Sequence, residues 1–316
     1  RDMQQRKGID GLAFGMLVVL CMTWAFQQIA IKAAAVDVAP IWQISIRSGL
    51  AAVLVALLMV LRNQPFGLKD GNWRPGLMVG ALFGLEFLLL GEGLRYTTAS
   101  HMTVFVYTAP FFAAVGLHWR LPEEKLAPMQ WVGILIAFIG IVVAFIGRDA
   151  ALATPQASNM LLGDFLGLLA GAAWGATTVV IRCTSLSSAP ATQTLLYQLI
   201  GAFILLLAAA VISGQTGFRP TALAVGSVAF QTIVVAFISL LAWFWLIRNY
   251  LASRVGVFSF MTPMFGIVFG VWLLDEPLDP SFVLGAVMVG AGIILVSGHA
   301  WMRQLLQRSS LPRANP

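Results

Sequence analysis

Two tryptophans and one glutamate are the residues best suited to recognising a solute. Trp24 and Trp174 lie well inside long apolar segments, and Glu86 lies equally deep in a third. At about 1.5 Å per residue, each falls near the middle of a hydrocarbon core about 30 Å thick. Trp favours membrane interfaces, and a central charge costs about 2.5–3.5 kcal/mol. An indole can pack on an apolar solute, and a carboxylate can bind an ammonium group or carry a proton.

The same residues also have structural explanations. The tryptophans could be packing residues whose indole N–H groups bond to neighbouring helices, and Glu86 could be a protonated or ion-paired structural residue. Arg47 could attract a carboxylate, pair with Glu86 or cap backbone carbonyls. His101 could exchange a proton near neutral pH or be a satisfied packing residue. The sequence leaves these alternatives open.

Further polar residues lie close to the two tryptophans. Gln27 and Gln28 follow Trp24 within one helical turn, and Thr178 follows Trp174. Polar groups at this depth need partners, and a polar solute could supply them. The residues predicted to contact a solute are Trp24, Gln27, Gln28, Glu86, His101, Tyr107, Trp174, Thr178, Phe237 and Phe260.

Two prolines are predicted to lie in the middle of their helices. Pro110 and Pro263 each remove one helical hydrogen bond, which frees the carbonyls of Val106 and Ser259. In lipid a free carbonyl is tolerated only where it faces protein or water. Both prolines could act as conformational pivots, or their kinks could be static and satisfied by neighbouring helices.

The composition dictates the elements that must position these residues. Hydrophobic residues make up 59% of the 316-residue chain and charged residues 10%, against about 25% charged in a soluble domain. Each apolar segment is close to the roughly 20 residues that cross a bilayer as a helix. The ten segments are 11–33, 41–61, 75–94, 99–118, 129–147, 162–181, 191–212, 223–246, 253–273 and 282–300. The chain is therefore predicted to be an all-α polytopic membrane protein.

The two halves of the chain match each other. Trp24 and Lys32 recur with the same spacing as Trp174 and Arg182. Other matched pairs are Gln43 with Gln193, Arg95 with Arg248, Pro110 with Pro263, Glu123 with Glu276, and Gly133 with Gly285. Because five crossings end on the side opposite their start, the second half must be inverted. The sequence predicts two inverted five-helix repeats, the usual design of secondary transporters, although a duplication without a transport role would leave the same pattern.

The residues that break the repeat point to the carried solute. The counterpart of Glu86 is Ser239, and the counterpart of Arg47 is Tyr197. A charge present in one repeat only favours a role specific to one solute. We predict a first repeat over 1–148, a linker over 149–161, a second repeat over 162–300 and a tail over 301–316.

The distribution of basic residues predicts the orientation. Only Lys32, Arg95, Arg148 and Arg219 fall on the side opposite the N-terminus, and Arg47 lies within a crossing. All other Lys and Arg residues fall on the side of the N-terminus, so both termini are predicted to be cytoplasmic.

Several other function classes lack their signatures. No phosphate-binding loop is present for ATP-driven pumping, and no filter loop or charge ring for a channel. A membrane-embedded lipid enzyme would need a set of catalytic groups, yet the acidic cluster Asp275, Glu276 and Asp279 has no His near it in sequence. The basic residues form no continuous patch for nucleic acid. We expect no enzymatic activity, no cofactor, no metal and no obligate protein partner.

Four short motifs carry a resemblance to a known family. They are Gly-Leu-Arg-Tyr-Thr-Thr-Ala-Ser at 93–100, Thr-Ala-Pro at 108–110, Met-Thr-Pro at 261–263 and Leu-Asp-Glu-Pro-Leu at 274–278. The chain resembles the drug/metabolite transporter superfamily with two EamA-type domains, and within it exporters of aromatic amino acids. The resemblance implies ten helices in a bacterial inner membrane and export of amino acids or similar metabolites. One departure is Glu123-Glu124-Lys125, where the second half has Glu276-Pro277.

These observations predict a secondary transporter that exports amino acids, with aromatic or bulky apolar ones favoured. Alternating access through a central midplane cavity would move them, with the solute and the lipid bilayer as the only partners. The alternatives are a proton-coupled multidrug or cation exporter acting through Glu86, and a membrane-embedded lipid enzyme.

Overall fold

The computed structural model of the protein describes residues 10–67, 71–122, 125–146, 155–249 and 258–309. Nearly all of these residues are helical. The helices are α1 Gly11–Ala33, α2 Pro40–Leu61, α3 Trp73–Gly93, α4 Ala99–Val106, α5 Ala109–Arg120, α6 Pro128–Ile146, α7 Pro155–Cys183, α8 Ala191–Ile212, α9 Ala222–Ala229, α10 Leu240–Asn249, α11 Met261–Leu274 and α12 Pro280–Ser309. A π-helical segment, Phe230–Ser239, joins α9 to α10.

These helices form ten crossings. Eight helical stretches are long and apolar enough to span a membrane, and Pro128–Ala144 and Met261–Leu274 are shorter apolar helices. The fourth crossing consists of α4 and α5, and the eighth consists of α9, the π-helical segment and α10. Large apolar side chains such as Val53, Phe138 and Ile204 are exposed on the outside of the bundle, as a lipid-facing surface requires. The prediction of an all-α, ten-helix membrane protein is confirmed.

Side-chain caps and prolines fix where several helices begin. The Asp10 carboxylate accepts a hydrogen bond from the backbone N–H of Ala13 at 2.8 Å. Thr98 caps α4 and Thr221 caps α9 in the same way. Pro40 lies in the first turn of α2, where its missing N–H costs nothing.

A glycine seam joins the last crossing of each half. α6 packs along α12, with Gly133 against the Gly292 carbonyl and Gly140 against the Gly285 carbonyl. Along the seam the residue numbers increase in α6 as they decrease in α12, so the two helices are antiparallel. Gly133 and Gly140 are the repeat counterparts of Gly285 and Gly292, so each glycine contacts the counterpart of the other. That reciprocity is the contact pattern of a two-fold axis between inverted repeats.

A second glycine seam runs along α3. Gly80 faces Gly201 of α8, and Gly84 faces Gly201 and Leu205 one turn further. Along this seam the residue numbers increase in both helices, so α3 and α8 are parallel. Inversion of the second half requires this direction. Small residues let the two backbones approach closely without leaving a gap.

Two boundaries differ from the prediction. α7 begins at Pro155, so the end of the predicted 149–161 linker is helical, since proline is accepted in a first helical turn. α12 continues to Ser309, so much of the predicted tail is helical as well. Residues 149–154 and 310–316 lie outside the described residues, as do Glu123, Arg148 and 250–257.

The helix ends define two faces of the bundle. α1 ends just after Lys32, on the same side as the loop between α3 and α4 and the start of α7. We call this side the Lys32 face. α7 ends just after Arg182 on the opposite side, which we call the Arg182 face.

Candidate functional site

The two predicted tryptophans belong to one buried cluster in the centre of the bundle. Both pack against a core that includes Tyr107, Phe87 and Leu90. This cluster joins α1, α3, the break between α4 and α5, and α7. The tryptophans of the two repeats therefore pack against the same buried cluster.

Trp24 is held by a hydrogen bond to the eighth crossing. Its indole N–H donates to the Ser239 hydroxyl at 2.9 Å, and Ser239 donates to the Val235 carbonyl at 2.5 Å. The ring also meets Trp243 edge-on, with the ring centroids 5.4 Å apart. Ser239 is the last residue of the π-helical segment, a rare element that often occurs at functional sites.

Trp174 is placed differently from its counterpart. Its ring meets Tyr107 edge-on at 5.2 Å between centroids, and the side chain is only partly buried. Its indole N–H has no hydrogen-bond partner among the described residues. The Thr178 hydroxyl donates to the Trp174 backbone carbonyl at 3.2 Å and so is satisfied within the helix.

Glu86 and Arg47 are two buried charges beside this cluster. Glu86 is 5% exposed, and its Oε2 atom has no hydrogen-bond partner within the part of the chain that is described. Arg47 is 2% exposed, donates from Nη1 to the Gln27 amide oxygen at 2.7 Å, and lies 4.4 Å from the Phe87 ring centre. Its Nε group has no partner among the same residues. Gln28 is also buried, and its amide oxygen lacks a partner there too.

The two charges attract each other but stay apart. Arg47 and Glu86 are electrostatically coupled, yet the described residues show no direct ion pair between them. A carboxylate oxygen and a guanidinium N–H therefore remain open close to the aromatic cluster. Unpaired buried polar groups are costly, and in native proteins they often mark a ligand or a functional group.

On the Lys32 face a hydrogen-bond network seals the bundle. The Lys32 ammonium donates to the Leu94 carbonyl and, at 2.8 Å, to the Thr97 carbonyl. The Thr97 hydroxyl in turn donates to the Asp164 carboxylate of α7. These contacts tie the end of α1 and the start of α7 to the loop between α3 and α4.

His101 belongs to this seal. Its Nδ1 atom lies 3.0 Å from an Asp164 carboxylate oxygen, and its ring stacks on Phe282 at 3.7 Å between centroids. The sequence left open whether His101 exchanges a proton, contacts a solute or is a satisfied packing residue. Its contacts to a buried Asp and an aromatic ring join α4, α7 and α12.

Glu276 closes the same face from the second repeat. Its carboxylate accepts hydrogen bonds from the backbone N–H of Ala99 at 2.7 Å and of Ser100 at 3.0 Å, and from the Ser100 hydroxyl. The carboxylate thus caps the N-terminus of α4, where the helix dipole also favours negative charge. Gly270 makes room, because a Cβ there would lie 2.2 Å from the carboxylate.

The Arg182 face is more open at the equivalent position. Ile29, Ala30 and Ile31 precede Lys32 and are buried. The three equivalent residues before Arg182, 179–181, are partly exposed, and Arg182 and Cys183 are exposed. The end of α7 is therefore less covered than the end of α1. Among the described residues, the Lys32 face is tied together by hydrogen bonds, and the end of α7 at the Arg182 face is less buried than its counterpart.

Comparison with known proteins agrees with this architecture. The sequence profile of the EamA-like transporter family matches the chain twice, over residues 11–146 and 161–298. The chain belongs to the EamA-like transporter family. It is thus a multi-pass membrane transporter, and its family is one of transporters rather than enzymes.

Similar proteins span nearly the same length as this EamA-like transporter. The uncharacterized transporter YoaV of Bacillus subtilis is 22% identical over 285 residues, covering 88% of this chain and 94% of that protein. An uncharacterized transporter of Archaeoglobus fulgidus is 27% identical over 296 residues, covering 88% and 97%. A solved crystal structure shares the fold with a TM-score of 0.64 at 15% identity, covering 92% of this chain and 96% of that one. None of these names gives a substrate.

The remaining predicted residues of this EamA-like transporter are distributed around the centre. Phe237 is partly buried and packs on a cluster formed by α2 and α8. Phe260 lies in a 3-10 turn before α11, and its side chain is outside the described part of the chain. Among the described residues, no group of His, Cys, Asp or Glu could hold a metal.

Both prolines were expected in the middle of a helix, but each lies in the first turn of one. Pro110 is the second residue of α5, which begins at Ala109 after α4 ends at Val106. Gly171 of α7 covers this break, since a Cβ there would lie 2.9 Å from the Val106 carbonyl. Pro263 is the third residue of α11, which follows the 3-10 turn Phe258–Phe260. A first turn needs no amide donor, so both prolines fit the start of a helix.

Asp164 and Gln43 are buried polar residues that sequence reasoning did not assign to a site. Asp164 is fully buried, and its only sequence signal was an acidic residue near the start of the predicted 162–181 segment. Gln43 was identified only as a matched pair. Its amide donates to the Ile31 and Val38 carbonyls and accepts from Ser227 and Gln231.

Proposed function

We propose that this protein is a secondary transporter that exports amino acids, with aromatic or bulky apolar side chains favoured. The observation that carries the proposal is the pair of open, opposite charges at Glu86 and Arg47 beside the central aromatic cluster. A zwitterion presents one ammonium and one carboxylate group a few atoms apart. A site with one unpartnered carboxylate oxygen and one unpartnered guanidinium N–H suits it.

The surroundings supply the rest of the recognition. The cargo ammonium would bind the Glu86 carboxylate, and the cargo carboxylate would bind the Nε group of Arg47. Its side chain would pack against Trp174 and Tyr107, which already meet edge-on. Gln27 holds the guanidinium in place through its amide oxygen. Such a site favours the binding of a zwitterion that carries a large apolar side chain.

The direction of transport follows from the predicted orientation. With both termini in the cytoplasm of a bacterial inner membrane, the Arg182 face is cytoplasmic and the Lys32 face is periplasmic. The less covered Arg182 face would admit cargo from the cytoplasm. Alternating access would then open the Lys32 face and release the cargo to the outside.

Uptake into proteoliposomes tests the proposal. Purified protein is reconstituted with an internal amino acid, and counterflow of radiolabelled aromatic, aliphatic and charged amino acids is measured. We expect saturable uptake of aromatic and bulky apolar amino acids, and at least tenfold less uptake with Glu86→Gln. Glu92→Gln is the matched control, because Glu92 pairs with Arg95 at the Lys32 face. Uptake of no amino acid above that of empty liposomes would contradict the proposal.

A proton-coupled exporter of drugs or organic cations is the second candidate. It is favoured by the same lone buried carboxylate, because Glu86 could exchange a cation for a proton without help from Arg47. A pH gradient across the vesicles separates the two. Gradient-driven export of a lipophilic cation that disappears in Glu86→Gln supports this candidate, and unchanged flux in that variant removes it.

A further inference from the structure

Two tryptophan–acceptor pairs occupy equivalent places in the inverted repeats. Trp24 of α1 corresponds to Trp174 of α7, and Ser239 of the eighth crossing corresponds to Glu86 of α3. The contact between α1 and the eighth crossing is therefore the counterpart of the contact between α7 and α3. Both contacts are present in the bundle.

Only one of the two hydrogen bonds is formed. Trp24 donates to Ser239 at 2.9 Å. Among the described residues, the Trp174 indole N–H makes no such bond, and the Glu86 Oε2 atom is buried without a partner. Tyr107 lies beside the unpaired donor, because its ring meets Trp174 edge-on at 5.2 Å between centroids.

In a transporter made of inverted repeats, the second state arises when the two halves exchange conformations. The hydrogen bond that is formed in this structure then breaks, and the equivalent hydrogen bond in the other repeat forms. We propose that, when the Lys32 face is open, the Trp174 indole N–H donates to the Glu86 carboxylate and the bond from Trp24 to Ser239 is broken. Trp174 is thereby a positioning residue that takes Glu86 away from the cargo.

This exchange makes the affinity for cargo different on the two sides of the cycle. It rests on the proposed function, in which Glu86 binds the cargo ammonium on the Arg182 side. A hydrogen bond to a carboxylate is about twice as strong as one between neutral groups, so the Trp174 bond offsets part of the cost of losing the cargo ammonium from Glu86. The Glu86 carboxylate is free while the Arg182 face is accessible. Once the Lys32 face opens, the carboxylate accepts a hydrogen bond from Trp174. Cargo is bound on one side and displaced on the other.

Distance measurements without any cargo test the exchange. Both native cysteines are replaced, and spin labels are placed at Val36 and Arg95. These exposed positions flank the Lys32 seal, which joins Lys32 to Leu94. In lipid nanodiscs, a short label distance reports a closed Lys32 face and a long one an open face.

Three variants are compared with the parent. Trp174→Phe keeps an aromatic ring but loses the donor, and it should lower the ratio of open to closed Lys32 face about ten- to a hundredfold, the effect of one net hydrogen bond to a charged group. Trp24→Phe is the matched control and should raise the same ratio about two- to tenfold, the effect of one net hydrogen bond between neutral groups. Ser239→Ala should act like Trp24→Phe, because it removes the acceptor of that bond.

A second variant keeps the test decisive if Trp174→Phe does not fold. Glu86→Ala removes the acceptor instead of the donor and should also lower the ratio, and Trp174→Phe should then add nothing to it. Equivalent shifts by Trp24→Phe and Trp174→Phe in one direction would overturn the exchange. So would a Trp174→Phe effect that persists in Glu86→Ala, or one distance in every variant. Because no cargo is present, failure of amino-acid transport leaves this result intact, and the reverse also holds.

Discussion

Gln43 and Gln193 occupy equivalent places in the two repeats but have opposite environments. Gln43 makes four hydrogen bonds that join α1, α2 and the eighth crossing. Gln193 is equally buried, yet neither of its amide atoms has a partner among the described residues. An inverted repeat in one state can satisfy only one member of such a pair, because the two halves have different conformations.

This difference predicts unequal effects of the same substitution. Gln43→Leu should lower the free energy of unfolding by about 2–4 kcal/mol, because it leaves buried partners unpaired. Gln193→Leu should be neutral or stabilising, because it removes two unsatisfied buried atoms. Thermal unfolding in detergent measures both, and each variant is the control for the other. Equal losses for the two variants would contradict this reading of the structure.

The buried charges of Arg47 and Glu86 predict that substitutions of these two residues have coupled effects on stability, although the residues lie far apart in sequence. Arg47→Met leaves the Glu86 carboxylate without its nearest positive charge, so it should destabilise the protein by about 2–4 kcal/mol. In a Glu86→Gln background the same substitution should cost at least about 1 kcal/mol less. A double-mutant cycle of thermal stability gives the interaction. Strictly additive losses would show that the two charges do not interact.

Single residues show where sequence reasoning succeeds and where it stops. The central position of Trp24 and Trp174 was predictable from depth alone, because a helix in lipid advances by a fixed rise per residue. The bond from Trp24 to Ser239 was not, because it depends on which crossings meet. Asp164 was missed since a partner for a buried carboxylate can come from anywhere in the fold, and His101 lies far from it in sequence.

At the scale of helices, glycine seams determine how closely the repeats approach. α6 and α12 meet through Gly140 and Gly285, where a Cβ on Gly140 would lie 2.8 Å from the Gly285 carbonyl. Backbone atoms cannot turn aside as a flexible side chain can. The length of each helix was predictable from hydropathy, but the partner of each seam was not.

Gly140→Ala is therefore expected to separate the two helices and to lower the free energy of unfolding by about 1–3 kcal/mol. Gly15 of α1 is the matched control, because a Cβ there meets nothing within 4 Å. Gly15→Ala should be neutral or stabilise by up to about 1 kcal/mol through helix propensity. Thermal unfolding in detergent compares them, and a tolerated Gly140→Ala would contradict the close contact.

Helix breaks were predictable only in part. The proline rule locates both Pro110 and Pro263, but it does not say whether the chain bends, breaks or begins a helix there. At Pro110 the break is stabilised by Gly171 of another crossing, and the Thr108 hydroxyl donates to the Phe105 carbonyl at 2.6 Å. The π-helical segment that ends at Ser239 has no counterpart in α3, so repeat matching could not predict it either.

For the molecule as a whole, the described residues show more hydrogen bonds between elements at the Lys32 face than at the Arg182 face. Asp164 and Glu276 hold the Lys32 face with hydrogen bonds between the repeats, and Lys32 holds it with a bond within the first repeat. The repeat pattern in the sequence predicts two equivalent faces and cannot say which is closed. That choice comes from tertiary contacts, which differ in free energy between the states by only a few kcal/mol.

The two native cysteines test this state together with the predicted orientation. Cys183 is exposed at the Arg182 face, whereas Cys21 is buried within α1. If that face is cytoplasmic, a membrane-impermeant maleimide should leave intact cells unlabelled and should label permeabilised cells once per chain. Cys183→Ser should abolish the label, while Cys21→Ser should leave it unchanged. Labelling of Cys183 in intact cells would contradict the predicted orientation and would place the Arg182 face outside.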